Sequence, residues 1–207
     1  DPNVCAFLVE PIQGEKGVFT PAEDYIPKAI ALCKARNVLF IADEIQTGIA
    51  RTGKLLASCY NTGCTCGSGK CENADKSQRP DVVILAKALS GGMYPVSAVL
   101  ADHDIMDVFT PGTHGSTYGG NPMGAKLAIE ALAIVKDERL VENSDRLGRI
   151  FRAEMQKLVD AEQCDLFDVL AYVAFASGMK PRVDRADAAK AAVAGSITDK
   201  QKAFVDF

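Results

Sequence analysis

The sequence predicts an α/β protein with a mostly parallel β-sheet that has helices on both faces. Three runs of consecutive apolar residues support this prediction, at residues 4–9, 38–42 and 82–86. The runs are short enough for strands, and none alternates with polar residues, which is typical of strands buried on both faces. Segments with helical spacing separate strands, as the crossovers of a parallel sheet require. A fourth strand is predicted at residues 96–100.

Three further segments have the features of helices. Residues 27–36 place apolar side chains at helical spacing, and basic residues near the end suit the negative pole of the helix dipole. Asn121 and Pro122 form a strong helix start, because asparagine caps free amides and proline has no amide hydrogen to satisfy. A second amphipathic helix is predicted at residues 140–158.

Composition excludes several classes of partner. The chain has 207 residues, of which 48% are hydrophobic and 24% are charged, as in ordinary globular proteins. Its net charge is −4 without a long basic run, so we expect neither nucleic acid nor a membrane surface as a partner. Because the chain starts at Asp1 without a methionine, its sequence does not define a compartment.

Polar residues follow three of the predicted strands. Glu10 comes after the first strand, Asp43 after the second and Lys87 after the third. Side chains just past the carboxyl ends of parallel strands face the crevice in which ligands bind. A lysine is the least expected of the three, because burying an ammonium group against a strand costs free energy. We therefore expect these residues to form a ligand site.

Pyridoxal phosphate is a cofactor that needs such a lysine together with such an aspartate. The lysine amine holds it as a Schiff base, and a carboxylate keeps the ring nitrogen protonated so that the ring draws electrons from the substrate. We predict that Lys87 binds the cofactor and acts as general acid and base, and that Asp43 pairs with the ring nitrogen. Gln46 is predicted to hydrogen-bond the phenolic oxygen.

A glycine-rich segment, HGSTYGGNP at residues 114–122, opens into the helix predicted after Asn121. The hydroxyls of Ser116 and Thr117, together with free backbone amides, suit a phosphate group. A strand-end aspartate or a single exposed lysine is commonplace in proteins. The combination of these features is what indicates a pyridoxal-phosphate site.

Four segments resemble class III (fold-type I) pyridoxal-phosphate-dependent aminotransferases. In order, they are EPIQGEKGV, LFIADEIQTGIARTGK, LAKALSGGMYPVSAVL and GTHGSTYGGNPMG. The resemblance covers about residues 1–158. It implies that residues 1–135 are part of the large, cofactor-binding domain, that residues 59–80 interrupt it, and that a helix at 136–159 leads out of it.

The resemblance implies the roles already predicted for the lysine, the aspartate and the glutamine. It also implies that Ser116 and Thr117 reach the cofactor phosphate of the opposite subunit in a homodimer, and that Glu10 lines the substrate pocket. The implied reaction is transfer of an amino group from an amino acid to a 2-oxo acid, in a soluble protein of the mitochondrial matrix or the cytoplasm. Family members extend upstream of Asp1, so we expect this chain alone to be inactive.

Other functions are compatible with part of the sequence. The run VLFIADE has the form of a Walker B strand, in which Asp43 would hold Mg²⁺ in a nucleotide hydrolase. No Walker A motif accompanies it, and this alternative leaves Lys87 and residues 114–122 without a role. A catalytically inactive fragment or a zinc-binding scaffold is the remaining alternative.

Two segments depart from the family pattern. Residues 59–80 contain four closely spaced cysteines, which could bind zinc but lack the paired C-x₂-C spacing of structural zinc sites; an unstructured surface loop is the alternative. These cysteines are Cys59, Cys64, Cys66 and Cys71. Residues 160–207 are predicted to be helical and weakly resemble the C-terminal region of type I restriction endonuclease motor subunits, which implies a fusion or an artefact of sequence assembly. The alternative is a divergent helical tail that packs on the main domain.

Overall fold

The computed structural model describes residues 3–15, 17–59 and 79–160. The strands are β1 (Ala6–Val9), β2 (Leu39–Asp43), β3 (Val82–Leu85) and β4 (Ala98–Ala101). The α-helices are α1 (Tyr25–Ala35), α2 (His103–Met106), α3 (Pro122–Asp137) and α4 (Leu140–Asp160), and short 3₁₀ helices occupy Ala57–Cys59 and Lys87–Ser90. Among the helices described, none has the length and apolar character needed to cross a membrane.

The strands form one sheet in the order β1-β2-β3-β4. β1, β2 and β3 are parallel, whereas β4 is antiparallel to β3. The predicted mostly parallel α/β sheet is therefore confirmed, with one antiparallel edge strand. A parallel crossover usually needs an α-helix, and the connection from β3 to β4 contains only the 3₁₀ helix Lys87–Ser90.

Helix α1 packs on β2 and anchors it. Its buried residues recur at intervals of four and three, the spacing of one helix face. They meet the buried side of β2 in a single cluster, formed by Ile26, Ile30, Cys33, Phe40 and Ala42. Burying a side chain such as phenylalanine or isoleucine stabilises the fold by about 1.5–3 kcal/mol, so this cluster holds β2 as far as Ala42, the residue before Asp43.

Asp81 aligns β3 beside β2. Its Oδ2 accepts a hydrogen bond from the Phe40 amide (2.8 Å), and its own amide donates to the Phe40 carbonyl (2.9 Å). Burial, with a smaller contribution from the Asp81 carboxylate, raises the pKa of the Cys33 thiol. Cys33 therefore stays protonated and packs as a small apolar residue.

A second core cluster forms where β3 ends. Ile49, Leu85 and Leu89 are buried together, and Ala128 and Val135 of α3 pack against them. Helix α3 thus rests on the 3₁₀ helix that begins at Lys87. Its predicted start is confirmed, because the Oδ1 of Asn121 accepts a hydrogen bond from the Gly124 amide (2.8 Å) with proline at the first helical position.

The chain divides into two compact units, one ending at Leu147 and the other beginning at Gly148. The first contains the sheet and helices α1 to α3. Two segments depart from the family pattern, residues 59–80 and residues 160–207. Within them, residues 60–78 and 161–207 lie outside the described residues. Predictions made for those residues stay predictions.

Candidate active site

The carboxyl ends of the parallel strands bring three predicted site residues to one edge of the sheet. Val9 of β1 pairs with Ala42 of β2, so Glu10 and Asp43 directly follow paired positions. Asp43 in turn pairs with Ile84 of β3, three residues before Lys87. The predicted convergence of Glu10, Asp43 and Lys87 at this edge therefore agrees with the register of the sheet.

Asp43 is the last residue of β2, and the local backbone fixes its carboxylate. Successive strand residues face opposite sides, so Asp43 lies on the side opposite Phe40 and Ala42, which pack under α1. Its carboxylate is half-buried, and Oδ1 accepts a hydrogen bond from the Ile45 amide (3.1 Å). A carboxylate held in this way can face a cationic partner without first losing side-chain freedom.

Lys87 begins the 3₁₀ helix that follows β3. Its φ of 48° lies in the left-handed region, which non-glycine residues seldom adopt. Lys87 is exposed, whereas Leu89 and Ser90 of the same helix are buried. The ammonium group of Lys87 is therefore not buried against the strand. β3 ends at Leu85, and the extended residue Ala86 leads directly into the 3₁₀ helix.

Gly14 brings Gln46 close to Glu10. A Cβ atom at Gly14 would lie 1.7 Å from the Oε1 of Gln46, so the Gln46 carboxamide occupies the space that a larger residue would fill. The Gly14 amide also donates a hydrogen bond to the Oε2 of Glu10 (3.2 Å). Gly14 was not predicted as a site residue, although the glycine after the strand-end motif in EPIQG was a usable signal.

Glu44, which follows Asp43, has no role predicted from the sequence. Only 1% of its surface is exposed. Its carboxylate accepts hydrogen bonds from the Thr47 hydroxyl (2.5 Å), the Ala57 amide (3.0 Å) and the Ser58 amide (2.7 Å). The second acid of the pair thus faces the protein interior, whereas Asp43 lies at the sheet edge.

Ser116 and Thr117 lie on a separate loop that precedes α3. Both are exposed, and the Ser116 hydroxyl accepts a hydrogen bond from the Gly119 amide (2.9 Å). The structure therefore brings Glu10, Asp43 and Lys87 to the sheet edge with Gln46 beside Glu10, and leaves the two hydroxyl residues on the exposed loop.

Cys59 is the one member of the cysteine cluster that lies within the described residues. Across residues 3–15, 17–59 and 79–160, no group of three or more histidine, cysteine or acidic residues is arranged to hold a metal ion. The zinc prediction for Cys64, Cys66 and Cys71 concerns residues outside these ranges.

Transaminases of known structure share the fold. An acetylornithine aminotransferase from Elizabethkingia anophelis is 54% identical with a TM-score of 0.66, over 75% of this chain and 37% of that one. Ornithine delta-aminotransferase from Plasmodium falciparum is 49% identical with a TM-score of 0.68, over 77% and 38%. The ornithine aminotransferase from Toxoplasma gondii, 48% identical with a TM-score of 0.67 over 76% and 33%, has partial occupancy of pyridoxal phosphate (PLP) at its active site.

The sequence profile of the family "Aminotransferase class-III" matches residues 1–169. This chain belongs to the class III aminotransferase family. The match includes β2, so the strand that resembles a Walker B motif is part of an aminotransferase fold. That finding removes the main support for the nucleotide-hydrolase alternative.

Curated relatives include several ornithine aminotransferases. The mitochondrial enzyme of Rattus norvegicus is 55% identical over 158 residues, which are 76% of this chain and 33% of the relative. The Plasmodium falciparum enzyme is 52% identical over 157 residues, which are 76% of this chain and 34% of the relative. The chain thus spans about a third of the length of these relatives.

Proposed function

We propose that this chain carries the cofactor-binding core of a PLP-dependent ornithine δ-aminotransferase. The reaction moves the δ-amino group of ornithine to a 2-oxo acid such as 2-oxoglutarate, giving glutamate semialdehyde and an amino acid. The observation that carries this proposal is the placement of Asp43 and Lys87 at the carboxyl ends of adjacent parallel strands. Ornithine is proposed as the amine donor because ornithine aminotransferases are 51–55% identical to this chain, and N-acetylornithine is the competing donor because an acetylornithine aminotransferase is 54% identical.

The residues at the sheet edge fit pyridoxal phosphate chemically. An exposed lysine amine can reach an aldehyde, and a half-buried carboxylate on the neighbouring strand can pair with a pyridine nitrogen. When bound, the cofactor supplies an electron sink for the carbon that carries the reacting amine. The site thus combines a covalent anchor with a charge partner.

Each residue then has a distinct task. Lys87 Nζ would hold the cofactor, and its amine would move a proton to and from the reacting carbon. Asp43 holds a proton on the ring nitrogen by its negative charge. Gln46 donates a hydrogen bond from its amide to the phenolic oxygen. Glu10, close to Gln46, lines the substrate pocket and helps to determine which amine of the substrate reacts.

Ser116 and Thr117 are proposed to bind the cofactor phosphate across a homodimer. Their exposure on a loop separate from the sheet edge supports a role toward a second copy. Under this proposal residues 1–135 form part of the large domain, residues 59–80 are an insertion, and residues 136–159 lead out of that domain.

Borohydride trapping tests the proposed cofactor site. The protein, expressed with any flanking sequence that its gene supplies, is incubated with PLP, reduced and digested, and the modified lysine is identified by mass spectrometry. We expect the adduct on Lys87, and its loss in the Lys87→Ala variant, with a matched Lys136→Ala variant unchanged because that residue lies at the far end of α3. An adduct that persists on another lysine in Lys87→Ala would overturn the assignment.

Amine-donor choice is tested separately with the same protein. We expect ornithine to be converted faster than 4-aminobutyrate or N-acetylornithine, measured by formation of glutamate from 2-oxoglutarate. A preference for either of the other amines would retain the aminotransferase and reject ornithine as its substrate.

A further inference from the structure

The buried carboxyl group of Glu44 has no task in the proposed reaction. Among the described residues it is the charged side chain with the least exposed surface, at 1%. Burying a carboxylate costs free energy unless hydrogen bonds replace its lost water. Its hydrogen-bond partners therefore indicate what the group does.

Both oxygens of Glu44 receive hydrogen bonds from the chain that follows β2. Oε2 accepts from the Thr47 hydroxyl (2.5 Å) and the Ala57 amide (3.0 Å), and Oε1 accepts from the Ser58 amide (2.7 Å). Two of the three donors lie 13 and 14 residues downstream. The carboxylate therefore joins the two ends of a loop formed by residues 44–58, which we call the β2 loop.

The β2 loop is tightly constrained. Thr47, Gly48, Ile49 and Ala50 are all buried, and a Cβ atom at Gly48 would lie 2.8 Å from the Glu44 carbonyl oxygen. Ile49 has a φ of 58° and Ala50 a φ of 71°. A left-handed conformation is a true outlier for a β-branched residue such as isoleucine, and it persists only where surrounding contacts enforce it. The Glu44 carboxylate supplies three such contacts.

Two residues of the proposed site flank this carboxylate. Asp43 precedes Glu44, and the Ile45 amide holds the Asp43 carboxylate. Gln46 lies inside the turn that the hydrogen bond from Thr47 to Glu44 closes. Any movement of the turn would therefore displace both the aspartate and the glutamine.

We propose that Glu44 is a positioning residue for the cofactor site, because its carboxylate closes the β2 loop and thereby sets the positions of Asp43 and Gln46. The inference rests on the proposed function. The two adjacent acids then have separate roles: Asp43 pairs with the cofactor, and Glu44 holds the protein's own backbone.

The Glu44→Gln variant tests this role with little change in shape. In wild type, each oxygen of the Glu44 carboxylate accepts at least one hydrogen bond. In either orientation of the glutamine amide, its NH₂ group replaces one of these oxygens and cannot accept, so at least one hydrogen bond is lost. The protein, with any flanking sequence its gene supplies, is loaded with PLP labelled with ¹⁵N at the ring nitrogen. The ¹⁵N chemical shift reports whether Asp43 keeps that nitrogen protonated.

We expect Glu44→Gln to move the ¹⁵N signal toward the unprotonated position and to raise the cofactor dissociation constant about ten-fold, the effect of losing a hydrogen bond to a charged group. Thr47→Ser keeps the hydroxyl and should give the wild-type signal, whereas Thr47→Val should give an intermediate shift. If Glu44→Gln does not fold, the Thr47 pair carries the test alone.

Ile30→Val is the matched control for general destabilisation, because Ile30 is fully buried in the α1 cluster and outside the β2 loop. It should lower the melting temperature and leave the ¹⁵N signal unchanged. Equal movement of the signal in Ile30→Val and Glu44→Gln would overturn the positioning role, as would no movement in Glu44→Gln and Thr47→Val. A wild-type protein that forms no Lys87 adduct would instead overturn the proposed function and the inference together.

Discussion

The β2 loop and the loop that precedes α3 are both proposed to serve the same cofactor, but they are constructed differently. In the β2 loop, hydrogen bonds to Glu44 join positions 13 and 14 residues apart, and residues 47–50 are buried. In the second loop, every residue from Asp107 to Gly120 is exposed. Its side-chain hydrogen bonds are local, such as the one from the Thr113 hydroxyl to the Thr110 carbonyl (2.7 Å).

The β2 loop is ordered by contacts within the chain, whereas the loop before α3 would need contacts with a second surface to be held in place. The β2 loop can hold Asp43 and Gln46 in place before any ligand binds, which reduces the entropy lost on binding. In the exposed loop, the Ser116 hydroxyl has only a local hydrogen bond, from the Gly119 amide three residues away. A site divided between two copies would place the rigid part and the adaptable part on opposite subunits.

Among the variants that test this comparison, Asp43→Asn, immediately before the β2 loop, is expected to have the largest effect. The amide cannot hold a proton on the ring nitrogen by charge, so turnover should fall on the order of 1000-fold while the cofactor stays bound. Steady-state kinetics and cofactor absorbance measure the two effects. Asp137→Asn, at the exposed end of α3, is the control, and unimpaired turnover in Asp43→Asn would exclude the proposed pairing.

Subunit mixing tests whether the exposed loop acts on a second copy. A Lys87→Ala protein and a protein with both Ser116→Ala and Thr117→Ala are each expected to be nearly inactive. In a random equal mixture half of the dimers are mixed and one site of two is intact, so about a quarter of wild-type activity should return. A mixture of Lys87→Ala with Asp43→Asn is the control and should regain none, since both changes affect the same subunit's contribution. Equal recovery in both mixtures would contradict the shared site.

Gly14→Ala is expected to have the smallest effect on this comparison. The new methyl group would displace the exposed end of Gln46, so cofactor affinity should fall about ten-fold while the free energy of unfolding changes by less than about 1 kcal/mol. Titration calorimetry and urea denaturation measure these quantities. Gly148→Ala is the control, because its Cβ would meet only Arg152 Nη1 at 3.5 Å. Wild-type affinity in Gly14→Ala would remove Gln46 from the proposed contacts.

The sequence alone predicted the parallel strands and the residues at their ends. Continuous apolar runs indicate strands, and the geometry of a parallel sheet then brings residues such as Glu10, Asp43 and Lys87 to one edge. The start of α3 was equally predictable, because the capping interaction of Asn121 is local.

Features that depend on distant contacts were not predicted. The direction of β4 follows from its pairing with β3, and nothing in a four-residue apolar strand specifies that direction. The burial of Glu44 depends on amides at Ala57 and Ser58, which lie 13 and 14 residues further along the chain. The contact of Gly14 with Gln46 likewise joins two separate strand ends.

The left-handed backbone conformation of Lys87 lowers the stability of the fold at the residue that is proposed to bind the cofactor. A φ of 48° costs a non-glycine residue on the order of 1–2 kcal/mol, a penalty that glycine would not carry. A lineage released from selection for catalysis would thus gain stability by exchanging this lysine for glycine. Under the proposed function, the reactive amine is the reason that a lysine and not a glycine occupies this position.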